Sequence, residues 1–312
     1  MTGSKPRSRP ARRFNFPLIL GSLLVAFLVV LALFAPWLAP HDPLHNYFML
    51  EDRNGELQMA PFEPGEVPGF PLGTDLDGRD IVSRLIWAVR PTLILATIIT
   101  FVRLAVGVAL GFVEGWYGGV LGGVISSVTR VALGIPILIL AIVVIYIFGF
   151  RFEAWVFIIA LTVTGWAGAT VVMSERARAL RNEPYMEAAR SIGARERRLF
   201  WNHLLPQVRS LILITVAFEM SAVLLQLAEL GFLGFFLGGG AMRLIPDSKS
   251  GAFISELIAG FPELGQMLSA GWDNFLNVPR ISLLAGTAFF VAIFSFMMLG
   301  EGLKRYFAEG HR

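Results

Sequence analysis

Six long apolar runs divide this chain, and each is close to the roughly 20 residues that a helix needs to cross a bilayer. They read "PLILGSLLVAFLVVLALFAPWLA" (17–39), "TLILATIITFVRLAVGVALGFV" (92–113), "VALGIPILILAIVVIYIFGF" (131–150), "AWVFIIALTVTGWAGATVVM" (154–173), "LILITVAFEMSAVLLQLAELGFLGFF" (211–236) and "ISLLAGTAFFVAIFSFMMLG" (281–300). Of the 312 residues, 55% are hydrophobic and only 16% charged. A soluble domain carries about 25% charged residues, so there is too little polar surface here to wet a globule. The expected fold is all-α: a polytopic membrane protein with six transmembrane helices. The first run follows basic residues, as a secretory signal would, but it exceeds a signal's roughly 7–15 apolar residues. It reads as an uncleaved anchor. The absence of cysteine excludes disulfides, thiolate chemistry and cysteine-ligated metals.

Lysine and arginine set the orientation, because cytoplasmic connections are enriched in them. Lys5, Arg7, Arg9, Arg12 and Arg13 precede the first run. Arg176, Arg178, Arg181, Arg190, Arg195, Arg197, Arg198 and Arg209 lie between the fourth and fifth, and Lys304, Arg305 and Arg312 follow the last. These sixteen share one side, against eight on the other (Arg53, Arg79, Arg84, Arg90, Arg151, Arg243, Lys249 and Arg280) over longer loops. Both termini are therefore expected in the cytoplasm. The segments follow: a basic tail (1–16), the first transmembrane helix (17–39), an extracytoplasmic loop (40–91), a transmembrane core (92–307) and a short tail (308–312). Within the core, 174–209 is cytoplasmic and 237–280 extracytoplasmic.

A structured, charged stretch, "EAARSIGARERRLFWNHLLPQ" (187–207), sits among these runs. Pro184 suits a first helical turn, with Asn182 as its cap. Tyr185, Ala188, Ala189 and Ile192 then fall on one apolar stripe. Gly193 suits a C-terminal stop, and a second short helix is expected from "RERRLFWNHLL" to Pro206. A helix this short needs packing to persist.

EAA, three residues, Gly193, then eleven residues to Leu205-Pro206 resembles the EAA loop of ABC importer permeases. His203 and "HLLP" resemble the peptide-importer branch, with Gln207 where asparagine is usual. "PLGTDLDGRDIVSRLIWAVRPTL" (71–93), "GVALGFVEGWYGG" (107–119), "LGFLGF" (230–235) and "LGEGLKRYF" (299–307) are similar to further blocks of that branch, in its order. Gly231 replaces a usual serine, and "FPELGQML" stands where a tryptophan-containing block is common. The segments 46–70 and 237–262 are longer than usual.

The resemblance implies a type I ABC importer permease fold of the C-type subunit, whose loop 174–209 docks on cytoplasmic ATPases. Tyr185, Glu187, Ala188, Ala189, Gly193, His203, Leu205 and Pro206 would carry that docking. Implied partners are a second permease in a heterodimer, two cytoplasmic ABC ATPase subunits and an extracytoplasmic substrate-binding protein, in a bacterial or archaeal inner membrane. Implied cargo is a peptide delivered by that protein, with nickel or oligosaccharides as alternatives. No nucleic acid is implied.

Other features stand apart from the resemblance. Gly107, Gly111, Gly115 and Gly119 recur every four residues, as in close helix packing in lipid. "DLDGRD" (75–80) has its glycine at the wrong place for a calcium loop. Thr74 or Asp75 is expected instead to cap an amphipathic external helix, "GRDIVSRLIWAV". Arg103, Glu219 and Glu229 fall inside or near apolar runs, where ionisable groups are costly. They read as polar contacts within the bundle; an ion-coupled secondary transporter is the rival. His41 and His45 flank Pro43 without neighbouring carboxylate spacing, so no metal site is expected. No phosphate loop, nucleophile elbow or H-E-x-x-H occurs. ATP and Mg would be bound by partner subunits, with no cofactor and no catalysis on this chain.

Overall fold

The computed structural model describes residues 14–148, 153–237, 242–246, 253–257, 261–273, 275 and 278–309. Lys5, Arg7, Arg9, Arg12, Arg13, Arg151, Lys249 and Arg312 lie outside the described residues, as do the rest of the basic tail and parts of 237–280. In chain order come α1 (Phe16–Leu38), β1 (Met49–Glu51), β2 (Leu57–Met59), α2 (Ile81–Phe112), a first π-turn (Val113–Tyr117), α3 (Gly119–Gly134), α4 (Ile137–Phe148) and α5 (Ala154–Arg181). There follow α6 (Pro184–Ser191), α7 (Glu196–Leu199), a second π-turn (Phe200–Leu204), α8 (Leu205–Phe232), β3 (Met242–Pro246), β4 (Phe253–Leu257), α9 (Leu264–Asp273) and α10 (Pro279–Glu309). The strands form two separate antiparallel ribbons, one pairing Met49 with Met59 and the other Met242 with Leu257.

Four stretches are long and apolar enough to cross a membrane as they stand: α1, α2 with its π-turn, the second π-turn with α8, and α10. Two bent pairs bring the total to six. One is α3 with α4, turned by 89°. Pro136 sits at this break and lacks the N–H that a continuous helix would use. The third span therefore begins near Gly119, a dozen residues before the apolar run itself. The other is α5, whose halves meet at 46° around residue 164. There Gly165 leaves the space that the Arg103 guanidinium fills; a side chain at Gly165 would overlap it.

The main core joins α2, α4, α5, α8, α9 and α10, with Leu28 of α1. α1 lies on α10 through two glycines, since a side chain on Gly21 would strike the backbone of Leu299 and one on Gly302 that of Leu18. Asn15 fixes the register by donating to the Gly302 carbonyl at 2.8 Å.

Two expectations for the segment before α2 are corrected. The amphipathic external helix is not a separate element but the first turns of α2, and its cap is Asp80, not Thr74 or Asp75. The Asp80 carboxylate accepts from the Ser83 N–H at 3.0 Å and the Ser83 hydroxyl at 2.6 Å. Thr74 is used elsewhere, accepting from the Phe62 N–H at 2.9 Å. Asp75 accepts from the N–H of Asp77 and of Arg79 and pairs with the Arg79 and Arg84 guanidinium groups. Gly78, at φ +77°, is a backbone that only glycine adopts readily, and it carries the chain through this turn. The segment 40–80 has its own small core of Phe62, Val67 and Phe70. Arg280 ties it to the start of α10 by donating to the Phe62 carbonyl at 2.9 Å.

Candidate functional site: the α6–α7 hairpin

α5 does not stop where its apolar run stops. It continues to Arg181, so only two residues separate it from α6. Asn182, expected to cap α6, instead closes α5, and Glu183 takes the cap position of α6 without a side-chain hydrogen bond. Pro184 occupies the first turn, where its missing N–H is not needed. Gly193 has φ +85°; its N–H bonds the Arg190 carbonyl at 2.9 Å and the Ala194 N–H bonds the Ala189 carbonyl at 3.1 Å. That pair of bonds is a Schellman motif, which stops the helix.

The second helix of the hairpin differs from expectation. Only Glu196–Leu199 is an isolated α-turn; the chain then widens into the second π-turn and enters α8 without a break. Pro206 marks no boundary. Its ring would crowd the carbonyl one turn back in an ordinary helix, and the wider turn, closed by the Leu205 N–H on the Phe200 carbonyl, accommodates it.

The two sides of α6 face different surroundings. Tyr185 is 39% exposed and Ile192 87% exposed; Glu187 and Ala188 are also exposed, while Ala189 is half-buried. Most of the stripe seen in the sequence thus points away from the bundle, with Ala189 packed at the edge of the inner cluster. Met186 and Arg190, one turn apart, point inward. Met186 is fully buried with Phe112, Trp116, Ala177, Leu180, Leu199, Leu204 and Val208. Sequence reading missed this inner face because a methionine and an arginine do not form an apolar stripe. Of the remaining expected residues, His203 and Leu205 are half-buried and Pro206 is exposed. Gln207, the departure from the usual asparagine, donates to the Tyr185 hydroxyl at 2.8 Å and so braces α6.

The glycine series divides. A methyl group on Gly107 would lie 2.6 Å from the Trp166 carbonyl oxygen, and one on Gly111 2.7 Å from that of Thr170; one on Gly115 would strike that of Ser174. These three let α2 and α5 meet backbone to backbone. Gly119 does not belong with them. The helix ends at Tyr117, Gly118 reverses the chain, and Gly119 opens α3 at φ +60° with nothing within 4 Å.

Arg103 is buried between α2, α5 and α8. It donates to the Leu161 carbonyl at 2.7 Å and to Gln226 at 2.5 Å, and Glu219 lies 3.7 Å away. Both charges are taken up within the bundle. His41 meets Asp80 at 3.3 Å and stacks on Phe70, and His45 packs edge-on against Tyr47. No set of three or more histidine or acidic side chains is placed to hold a metal among the described residues.

A bundle of four straight and two bent spans, with a short helix fixed against it through a buried inner face, defines a polytopic membrane protein. Residues 106–309 match the family described as binding-protein-dependent transport system inner membrane component. Residues 17–61 match the N-terminal TM domain of oligopeptide transport permease C. The chain belongs to the first of these families, which makes it a permease subunit of an ABC importer with the type I permease fold. It is 27% identical over 283 residues to the glutathione transport system permease protein GsiD of Escherichia coli O1:K1, covering 91% of this chain and 83% of the relative. It is 29% identical over 289 residues to the di/tripeptide transport system permease protein DppC of Pseudomonas aeruginosa, covering 91% and 86%.

Proposed function

We propose that this chain forms half of the pathway by which an ATP-driven importer moves peptides into the cell. An extracytoplasmic binding protein would deliver the peptide to a cavity between this chain and a second permease. Two cytoplasmic ATPases would hold α6 and α7 and drive alternating access. The chain itself is non-catalytic in this reading. Both termini and the hairpin lie in the cytoplasm, as the arginine count of 174–209 favours.

The observation that carries the docking role is the outward face of α6. Tyr185, Glu187, Ala188 and Ile192 are exposed on a helix already fixed to the bundle from behind. Small alanines there leave a shallow surface that a groove on a partner can approach closely. Peptide cargo follows from the likeness to the glutathione and di/tripeptide permeases. Glu219, the carboxylate on which an ion-coupled mechanism would rest, is paired with Arg103.

The test is purification of the intact importer from its native membrane. Gly193→Pro places at a left-handed position, φ +85°, a residue whose ring fixes φ at about −65° and so cannot adopt it. It is expected to remove the ATPase subunits from the complex and to abolish ATP-dependent uptake of labelled di- and tripeptides. An unchanged complex with unchanged uptake would overturn the docking role.

A further inference from the structure

We propose that Arg190 is a positioning residue for transport: laid on Trp116, it passes movement of α6 into the π-turn that ends α2, and so into the bundle. The proposal rests on the reading of α6 as the ATPase-docking helix, and concerns the side of that helix turned away from the ATPase.

An eight-residue helix has little stability of its own, so its inward contacts decide how it is held. Met186 supplies a non-directional apolar contact. Arg190 supplies the directional ones. Its guanidinium lies 5.5 Å from the centre of the Trp116 ring, and Trp116 is only 2% exposed, so the ring cannot turn away. The same guanidinium donates to the Arg181 carbonyl at the end of α5 (3.3 Å) and to Glu196 at the start of α7 (3.1 Å). One side chain therefore joins α6 to α5, to α7 and to the end of α2. The planar guanidinium suits stacking and forked donation together, which an ammonium cannot match.

What it touches is built to yield. Trp116 lies within the first π-turn, Val113–Tyr117, and Phe200 of the second π-turn, Phe200–Leu204, packs edge-on at 5.4 Å against Phe112, the last residue of α2 before that turn. π-turns weaken the regular hydrogen-bond ladder and concentrate at functional positions. Two of them, on different spans, converge behind the one helix that faces the partner. Against the first π-turn lies a cleft of about 430 Å³, bordered by Glu114, Gly118, Gly122, Arg178 and Arg181. That side of the turn is therefore not closed off by packing.

The experiment uses the complete importer in proteoliposomes, measuring ATP hydrolysis and peptide uptake on the same preparation. In Arg190→Ala the ATPases remain bound, because the outward face is untouched, and hydrolysis continues. Uptake per ATP hydrolysed is expected to fall about fivefold to thirtyfold, as loss of a half-buried cation–π contact together with its hydrogen bonds implies. Trp116→Leu produces the same loss, and the double variant no more than either alone. Arg190→Lys, which keeps the cation, recovers part of the ratio. A wild-type ratio in Arg190→Ala overturns the proposal, and so does a fall in uptake matched by an equal loss of bound ATPase. Should Arg190→Ala fail to accumulate, Arg190→Gln is read by the same two criteria. A wild-type complex without ATPase would instead defeat the docking reading itself, which separates the two failures.

Discussion

Glu263 is a fully buried carboxylate with no ion-pair partner among the described residues. It accepts from the Thr92 hydroxyl and from the Gln266 N–H, each at 3.0 Å, and so seats α9 on α2. Burial pushes its carboxyl above the usual carboxylate range, and the hydrogen bonds from backbone and Thr92 only partly oppose this. The folded protein thus holds this proton more tightly than the unfolded chain does. Its stabilising effect is fully present below the ordinary glutamate value and is lost as pH rises through the raised one. Thermal unfolding in detergent is expected to show a midpoint that falls over that interval, and Glu263→Gln is expected to flatten the fall. Glu263→Ala would leave the buried Gln266 N–H without its carboxylate, while the Thr92 hydroxyl keeps the Ala88 carbonyl, at a cost of about 1–3 kcal/mol. A pH profile identical in wild type and Glu263→Gln would remove the carboxylate from the account. Nothing in "FPELGQML" singles the residue out; that stretch stands apart only in lacking the tryptophan of a family block. The partners of Glu263 lie 171 and three residues away, and no local pattern joins the first. Arg103 and Glu219 were easier to see, since charge inside an apolar run announces itself. Gly165, which makes room for Arg103, was not, because a glycine in a span has many ordinary explanations.

Helix packing in lipid lacks a strong hydrophobic drive between helices, so close backbone approach does much of the holding. The α2–α5 seam at Gly107, Gly111 and Gly115 is such an approach, and its four-residue repeat was legible in the sequence. Where the repeat ends was not, because Gly119 keeps the spacing after the helix has already turned at Gly118. Gly111→Ala sets a methyl group 2.7 Å from Met173 and from the Thr170 carbonyl oxygen, so the helices must separate. A loss of about 1–3 kcal/mol is expected, read as a lower unfolding midpoint in detergent. Gly123→Ala is the control: it is exposed within α3 with nothing within 4 Å, and better helix propensity should make it neutral or stabilising by up to about 1 kcal/mol. Equal effects of the two would show that α2 and α5 do not touch this closely. The same logic accounts for Gly231, where relatives in the peptide branch usually carry serine. A side chain there would come within 2.5 Å of the Gly265 backbone in α9.

Across the whole molecule, the number of spans was written in apolar run length, while their breaks and continuations were not. Pro136 breaks a span at 89°, yet Pro36, Pro91 and Pro206 lie within or at the start of continuous helices. The difference depends on what the neighbouring helices supply, which a single chain segment does not encode. Sidedness is encoded, but only as a charge bias, and it can be tested directly because the chain has no cysteine. Two single cysteines suffice: Ile192→Cys at the tip of the hairpin, 87% exposed, and Met59→Cys on β2, 71% exposed. Neither side chain belongs to a buried core, so both variants should fold. With sixteen lysines and arginines on the hairpin's side against eight on the other, the hairpin should remain inside. In intact cells stripped of any outer barrier, a membrane-impermeant maleimide is expected to label Met59→Cys and spare Ile192→Cys. In inside-out vesicles washed free of ATPase subunits the order should invert. Since α6 and the β1–β2 ribbon are separated by an odd number of spans, labelling of both from one face would contradict the six-span bundle, and inversion of the pattern would place α6 beyond the reach of any cytoplasmic ATPase and overturn the proposed docking role.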